Sequence, residues 1–176
     1  MTLEPLSADH AADLAAAADE RTLAHVLGRP AELTPEAVAA WIGRQRALAS
    51  WRCFTVVVGG RAVGTTSFID VNPTHRFCEI GATWIAREHH GSRVNPAMKL
   101  LMLEHAFDVQ RCVRVSLKTD NLNVQSRRAI EKLGAKKEGV LRMLYWLREG
   151  RPRYSGLYSI TDDEWAGVRA GLAGRL

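Results

Sequence analysis

The chain has 176 residues, 47% hydrophobic and 24% charged, the balance of an ordinary soluble globular protein with length for one compact domain. No run approaches the roughly 18 apolar residues that a membrane span needs. The start, Met1-Thr2-Leu3-Glu4-Pro5, lacks the basic-then-apolar order of a secretory leader, so a cytoplasmic location without membrane partners is expected. The net charge of +5 sits in one place: Lys and Arg outnumber Asp and Glu twelve to four over residues 111–153, against ten to twelve over residues 1–110. That segment suits an anionic partner, either a polyphosphate cofactor or nucleic acid, unless it is simply a solvated basic face.

In chain order, Leu3 to Leu6 reads as a first strand, and Ser7 as the cap of an alanine-rich helix running to about Leu27. Thr34-Pro35-Glu36 is a firmer helix start, with a capping hydroxyl, proline at the first helical position and an acid near the positive dipole end. Its apolar face would hold Val38, Trp41, Ile42 and Leu48. Trp51 to Val58, the turn Gly59-Gly60 and Ala62 to Ile69 predict a hairpin. Phe77 to Ile85 predicts a strand with Phe77, Glu79, Gly81 and Thr83 on one face and Cys78, Ile80, Ala82 and Trp84 on the other.

A loop over residues 87–94 then leads into a helix from about Asn95 to Phe107, with Pro96 in its first turn. Val113 to Thr119 alternates as a strand, and Asn123 to Leu133 is a helix ended by Gly134. Lys136 to Trp146 and Tyr154 to Ile160 predict an antiparallel pair, and Thr161 caps a terminal helix. The order describes one mixed α/β unit spanning 1–176. Cys53, Cys78 and Cys112 lie in apolar runs without paired spacing, which predicts buried free thiols and no metal.

The chemical signal is central. A strand ending at Ile85 passes through a loop with Gly91 to a helix N-terminus at Asn95, presenting unpaired N–H groups at the positive end of a helix dipole. The stretch Glu79-Ile80-Gly81-Ala82-Thr83-Trp84-Ile85, then His90-Gly91-Ser92-Arg93-Val94-Asn95-Pro96, then Lys99 to Phe107, resembles the acetyl-CoA-binding core of GNAT acetyltransferases. Asn121 to Ala135 is similar to the asparagine–serine helix of the branch that acetylates ribosomal-protein N-termini (RimJ/RimL-like), and Glu138 to Arg142, Tyr158 to Ile160 and Glu164-Trp165 fit that branch.

The resemblance covers about residues 51–165, with an acyl-CoA-binding core over 76–135. It implies an α/β fold with a mixed, mostly antiparallel twisted sheet of six to seven strands, splayed at its centre and flanked by helices. It further implies acetyl-CoA as cosubstrate, no metal, an amine acceptor (peptide or small molecule) and a homodimer. Backbone groups of Ala82, Thr83, Trp84 and Ile85 would hold the pantetheine and thioester carbonyl. The pyrophosphate would lie on His90, Gly91, Ser92, Arg93, Val94 and Asn95, with Arg127, Arg128 and Lys132 reaching phosphates and Asn123 reaching the pantetheine. The family loop usually reads Q/R-x-x-G-x-G/A; here Glu88 and Arg93 replace the leading Gln/Arg and the second small residue.

For the chemistry, Glu79 is the expected base for the acceptor ammonium. Many family members carry a tyrosine four residues before the glycine that ends this helix; here that position is Ile130, so Ser126 is the expected proton donor to the departing thiolate. His89 and His90 are read as exposed loop residues, and Trp41, Trp51 and Trp84 as core or pocket walls. Arg142, Arg148, Arg151 and Arg153 would suit an anionic acceptor. An acyl-CoA sensor with weak catalysis and a basic nucleic-acid-binding protein remain the alternatives.

Overall fold

The computed structural model describes residues 1–147 and 150–176, which form one seven-stranded sheet with helices on both faces. The strands are β1 (Thr2–Pro5), β2 (Arg52–Val58), β3 (Arg61–Asn72), β4 (Phe77–Ile85), β5 (Arg114–Asp120), β6 (Lys136–Trp146) and β7 (Pro152–Thr161). The helices are α1 (Ala11–Ala17), α2 (Glu20–Leu23), α3 (Pro35–Arg46), α4 (Val94–Glu104), α5 (Val124–Lys132) and α6 (Asp162–Ala173). Spatial order is β1-β2-β3-β4-β5-β7-β6, and every adjacent pair is antiparallel except β4 and β5.

The predicted helix from Ser7 to Leu27 is broken. Ser7 does cap a short turn, with a capping box to His10, but α1 stops at Ala17. Asp19 ends it by capping α2 instead, its carboxylate accepting from the N–H of Thr22 at 2.6 Å. After Leu23 the left-handed Gly28 and then Pro30 prevent resumption. Thr34 caps α3 as expected, while Leu48 lies beyond the helix end and is exposed. In the middle of the chain, α4 continues past Glu104 as a π-helical turn over His105–Val109.

Two apolar clusters fill the two faces. Val56, Ile80, Met98, Met102, Leu103, Val115, Leu117 and Ile160 belong to the larger one, on the α4–α6 side. Leu14, Leu23, Val38, Trp41, Ile42 and Trp84 form the smaller one, under α1 and α3. Trp51 is only half-buried, as are Cys53 and Cys112; all three thiols are free, and Cys78 alone is fully buried. The expectation of three buried thiols therefore holds for one.

Strict alternation along β4 also fails. Thr65 pairs with Trp84 but Ser67 pairs with Gly81, so Ala82 and Thr83 face a single β3 residue. This is a β-bulge with Ala82 at φ +46°. Beyond it the faces exchange: Thr83 turns to the α4 side, and Trp84 joins the α1–α3 cluster that Cys78 and Ile80 avoid. Close approach at the bulge demands Gly64, where an added Cβ would lie 2.2 Å from the carbonyl oxygen of Trp84.

Candidate active site

β4 and β5 pair in parallel only at Phe77–Arg114, Cys78–Val115 and Glu79–Ser116. Beyond that point the strands diverge, so the β5-facing backbone edge of residues 80–85 has no strand beside it. Parallel neighbours that separate leave a wedge lined by unpaired N–H and C=O groups, which an extended amide-bearing ligand can satisfy. Ala82, Thr83, Trp84 and Ile85 lie along this edge, the bulged pair Ala82 and Thr83 among them.

At the end of β4, a short helical turn over Arg87–His89 leads to Gly91, left-handed at φ +75°, and then to α4. Gly91, Ser92 and Arg93 are exposed and Val94 and Asn95 half-buried. Ser92 accepts from the N–H of Val94 at 3.2 Å and donates to the carbonyl of His89 at 2.7 Å, which fixes the loop. The first turn of α4 holds no acid, and Arg93 does not cap it with its side chain. This helix start is compatible with an anion, although Pro96 removes one N–H donor.

His90 is an exposed loop residue, as expected, but its ring is tethered. Its Nε2 lies 2.8 Å from the carbonyl of Ile85 and its Nδ1 lies 3.1 Å from Nε2 of Gln125, so the neutral Nε2–H tautomer ties the end of β4 to α5. His89 is half-buried beside Glu88. On α5, Asn123 is the N-cap: its carboxamide oxygen accepts from the N–H of Ser126 at 2.9 Å, leaving its NH2 for a ligand. Ser126 is half-buried, with no hydrogen bond from its hydroxyl among the described residues. Arg127 donates to the carbonyl of Asn121, whereas Arg128 and Lys132 are exposed on the helix surface. Ile130 is a core residue, 6% exposed.

Glu79 stands at the vertex of the wedge, buried, with its carboxylate 2.8 Å from Nζ of Lys118 on β5. Burial raises its pKa, and Lys118 offsets only part of that effect. Gly81 leaves room for it, since an added Cβ there would come within 3.1 Å of Oε1. A carboxylate whose pKa is raised by burial is a stronger base than a solvated one.

Sequence reasoning missed two features here. Lys99 on α4 is buried, and among the described residues its side chain bonds only from Nζ to Oγ1 of Thr83 at 3.2 Å; Thr83 in turn meets the Thr66 hydroxyl at 2.8 Å. Burial drives the Lys99 pKa down to about 7. The bulge hid this contact, because regular alternation points Thr83 away from α4. Second, Asp120 at the end of β5 is fully buried and accepts from Arg151 at 2.6 Å, from the N–H of Leu122 at 3.0 Å, and meets His25 at 3.2 Å. Burial opposes its ionisation, but these bonds together hold its pKa below the ordinary carboxylate range. Of the four arginines expected to act together, Arg142 is exposed, Arg151 is committed to Asp120 and Arg153 is buried. Arg148 lies outside the described residues.

The described residues hold no group of three or more His, Cys, Asp or Glu side chains suited to a metal ion. A hollow of about 470 Å³ lies elsewhere, between the end of α1 and residues 86–89.

The splayed sheet, bulged strand and glycine loop define an acyl-transfer fold, and residues 1–136 match the model of the acetyltransferase (GNAT) domain. The chain belongs to the GNAT acetyltransferase family. Its fold superposes on a candidate acetyltransferase from T. thermophilus with TM-score 0.93 and 35% identity, over 99% of this chain and 92% of that one. Mycobacterium smegmatis RimJ in complex with CoA-disulfide is similar at TM-score 0.79 and 22% identity, covering 98% and 88% of the two chains. Spermidine N-acetyltransferase from Vibrio cholerae, in complex with CoA and spermine, is similar at 0.75 and 18%, covering 94% and 97%. At those identities the last two likenesses are of fold alone. No curated protein matches this chain at a significant level.

Proposed function

We propose that the protein transfers an acetyl group from acetyl-CoA to a primary amine in the cytoplasm. One observation carries this reading: the open edge of β4 beyond Glu79, ending at a glycine loop and an acid-free helix start. The pantetheine would bond residues 82–85, the pyrophosphate would rest on residues 90–95, and Arg127, Arg128 and Lys132 would approach the phosphates from α5. Glu79 would take the proton from the acceptor ammonium, directly or through water. The amine lone pair then attacks the thioester carbon, the C–S bond breaks, and the thiolate takes a proton from Ser126 or solvent. The thiol's ordinary pKa of about 8.5 makes it a tolerable leaving group without help.

The test is CoA release by the purified protein supplied with acetyl-CoA and a panel of amines and peptides. Glu79→Gln is expected to lower kcat/KM at neutral pH by about 10²-fold or more, and the wild-type rate should rise with pH through an inflection above the ordinary glutamate range. Ser126→Ala with unchanged turnover at all pH values would remove that hydroxyl from the mechanism. Tight CoA binding without turnover on any acceptor would instead favour a sensor, a reading supported by Ile130 being locked in the core. Exposed Met143 and Trp146 on β6, 60% and 67% accessible, support a homodimer through that edge strand, checked by sedimentation.

A further inference from the structure

The sheet face that carries Glu79 also carries an unbalanced charge. Side chains of Lys118 and Asp120 share it along β5, and the pairing of Asp120 with Ser155 brings Ser155 and Arg153 of β7 onto the same face. Two of its charge pairs are complete: Glu79 with Lys118 at 2.8 Å and Asp120 with Arg151 at 2.6 Å. Arg153 is left over. It is 6% exposed, yet no carboxylate among the described residues lies within ion-pair distance of it. Its polar contacts are one long bond from Nη1 to the carbonyl of His25, 3.4 Å, and the Tyr145 ring, 5.6 Å from the guanidinium carbon.

Its Nε and the Ser155 hydroxyl are both buried without a hydrogen-bond partner among the described residues. They belong to residues two apart on one strand, so both side chains leave the same sheet face. A guanidinium is almost never buried unpaired, and unlike an amine it cannot shed its proton to escape the cost. Burial lowers the Arg153 pKa while Asp120 and Glu79 act across space to raise it, so both carboxylates lie within electrostatic reach although each is already spoken for.

The bulge in β6 lies beside these two residues. Leu141 pairs with Ser155 and Tyr145 with Arg153, so three β6 residues span a single β7 residue, with Met143 left-handed at φ +51°. Arg142 and Met143 are thereby displaced to the surface, and the Tyr145 ring is brought over Arg153.

Resting on the acyltransferase reading above, we propose that Arg153, with the Ser155 hydroxyl beside it, binds a carboxylate of the acceptor, so that the acceptor is an amino-carboxylate, either a free amino acid or a peptide with an acidic residue at its start. The amine is then directed to Glu79 and the carboxylate to Arg153, and the missing anion on this face is supplied by the substrate. A polyamine, carrying only positive charge, fits this face poorly.

The test compares matched acceptors on the wild-type protein: free glutamate and aspartate, short peptides beginning with Asp or Glu, their carboxamide counterparts, and spermine. The carboxylate forms are expected to show a KM at least ~10-fold below their carboxamides, the scale of one charge-assisted hydrogen bond. The free and peptide arms distinguish the two sources. Arg153→Gln should collapse that ratio toward one by raising the KM of the carboxylate forms, with Arg153→Lys retaining part of it. Equal KM for acid and amide, or preference for spermine, overturns the proposal, and needs no folded variant. Thermal shift with the same compounds separates the two ideas: Arg153-dependent stabilisation by carboxylates without CoA release leaves the anion site standing while the acyltransferase reading fails. Turnover indifferent to the carboxylate does the reverse.

Discussion

Two buried cations sit on opposite faces of the splayed sheet, and neither has a carboxylate partner among the described residues. Lys99, on the α4 side, meets only the Thr83 hydroxyl; Arg153, on the Glu79 side, meets a carbonyl and an aromatic ring. The same physical problem has different solutions. An amine loses its proton when burial makes the charge too costly, and the Lys99 pKa falls to about 7. A guanidinium keeps its charge, so the face around Arg153 stays polar, with paired groups on either side. The α4 face is therefore an apolar packed layer around one readily neutralised amine, while the opposite face carries fixed charges.

The comparison breaks most severely at Lys99→Arg. That substitution installs in the apolar layer a charge that cannot leave, and should destabilise the protein by about 4 kcal/mol, the effective penalty of an unpaired buried ion. Urea midpoints at neutral pH measure it; a loss below about 1 kcal/mol would mean that α4 admits water to this position.

Next in size is Asp120→Asn, which leaves Arg151 without its anion and weakens the bonds from Leu122 and His25. A loss of about 3 kcal/mol is expected near neutral pH. Because the native carboxyl titrates below its ordinary value of 3.8, the wild-type advantage is complete above that pH and disappears as pH falls through the depressed native pKa. A gap that widens on acidification would contradict the assignment.

The smallest effect is a gain. Lys99→Met keeps the volume and removes the ionisable group, and should stabilise by about 2 kcal/mol at pH 6. Below about pH 7 the wild-type native state carries a costly buried ammonium. Between there and 10.5 it releases a proton that the unfolded chain keeps, so wild-type stability rises with pH and the advantage of the variant shrinks. Melting temperatures at pH 6 and pH 10 check the sign.

Much of the frame is legible in the chain alone. Thr34-Pro35 marks α3, Gly59-Gly60 the hairpin turn, Asn123 and Gly134 the two ends of α5, and the bounds of β4 and β6 coincide with the predicted runs. These are local signals: a capping side chain, a left-handed glycine or a β-branched run acts within a few residues and needs no partner across the fold. The motif order from Glu79 to Gly134 likewise marks the family to which the chain belongs.

Tertiary structure decided the rest. Asp19 competes successfully as a cap and divides the first helix, a contest between two acceptable local structures that propensity does not rank. The Ala82 bulge reverses which β4 side chains face α4, and it depends on β3 approaching at Gly64. The divergence of β4 from β5 arises from a strand pairing across some forty residues of sequence, visible only once both strands are placed. Above all, sequence counted Arg142, Arg148, Arg151 and Arg153 as one basic group, because composition records charge and not counter-charge. Folding gives Arg151 to Asp120 and displaces Arg142 to the surface, and it leaves Arg153 buried with its charge unanswered, since only spatial pairing decides which ion is neutralised from within.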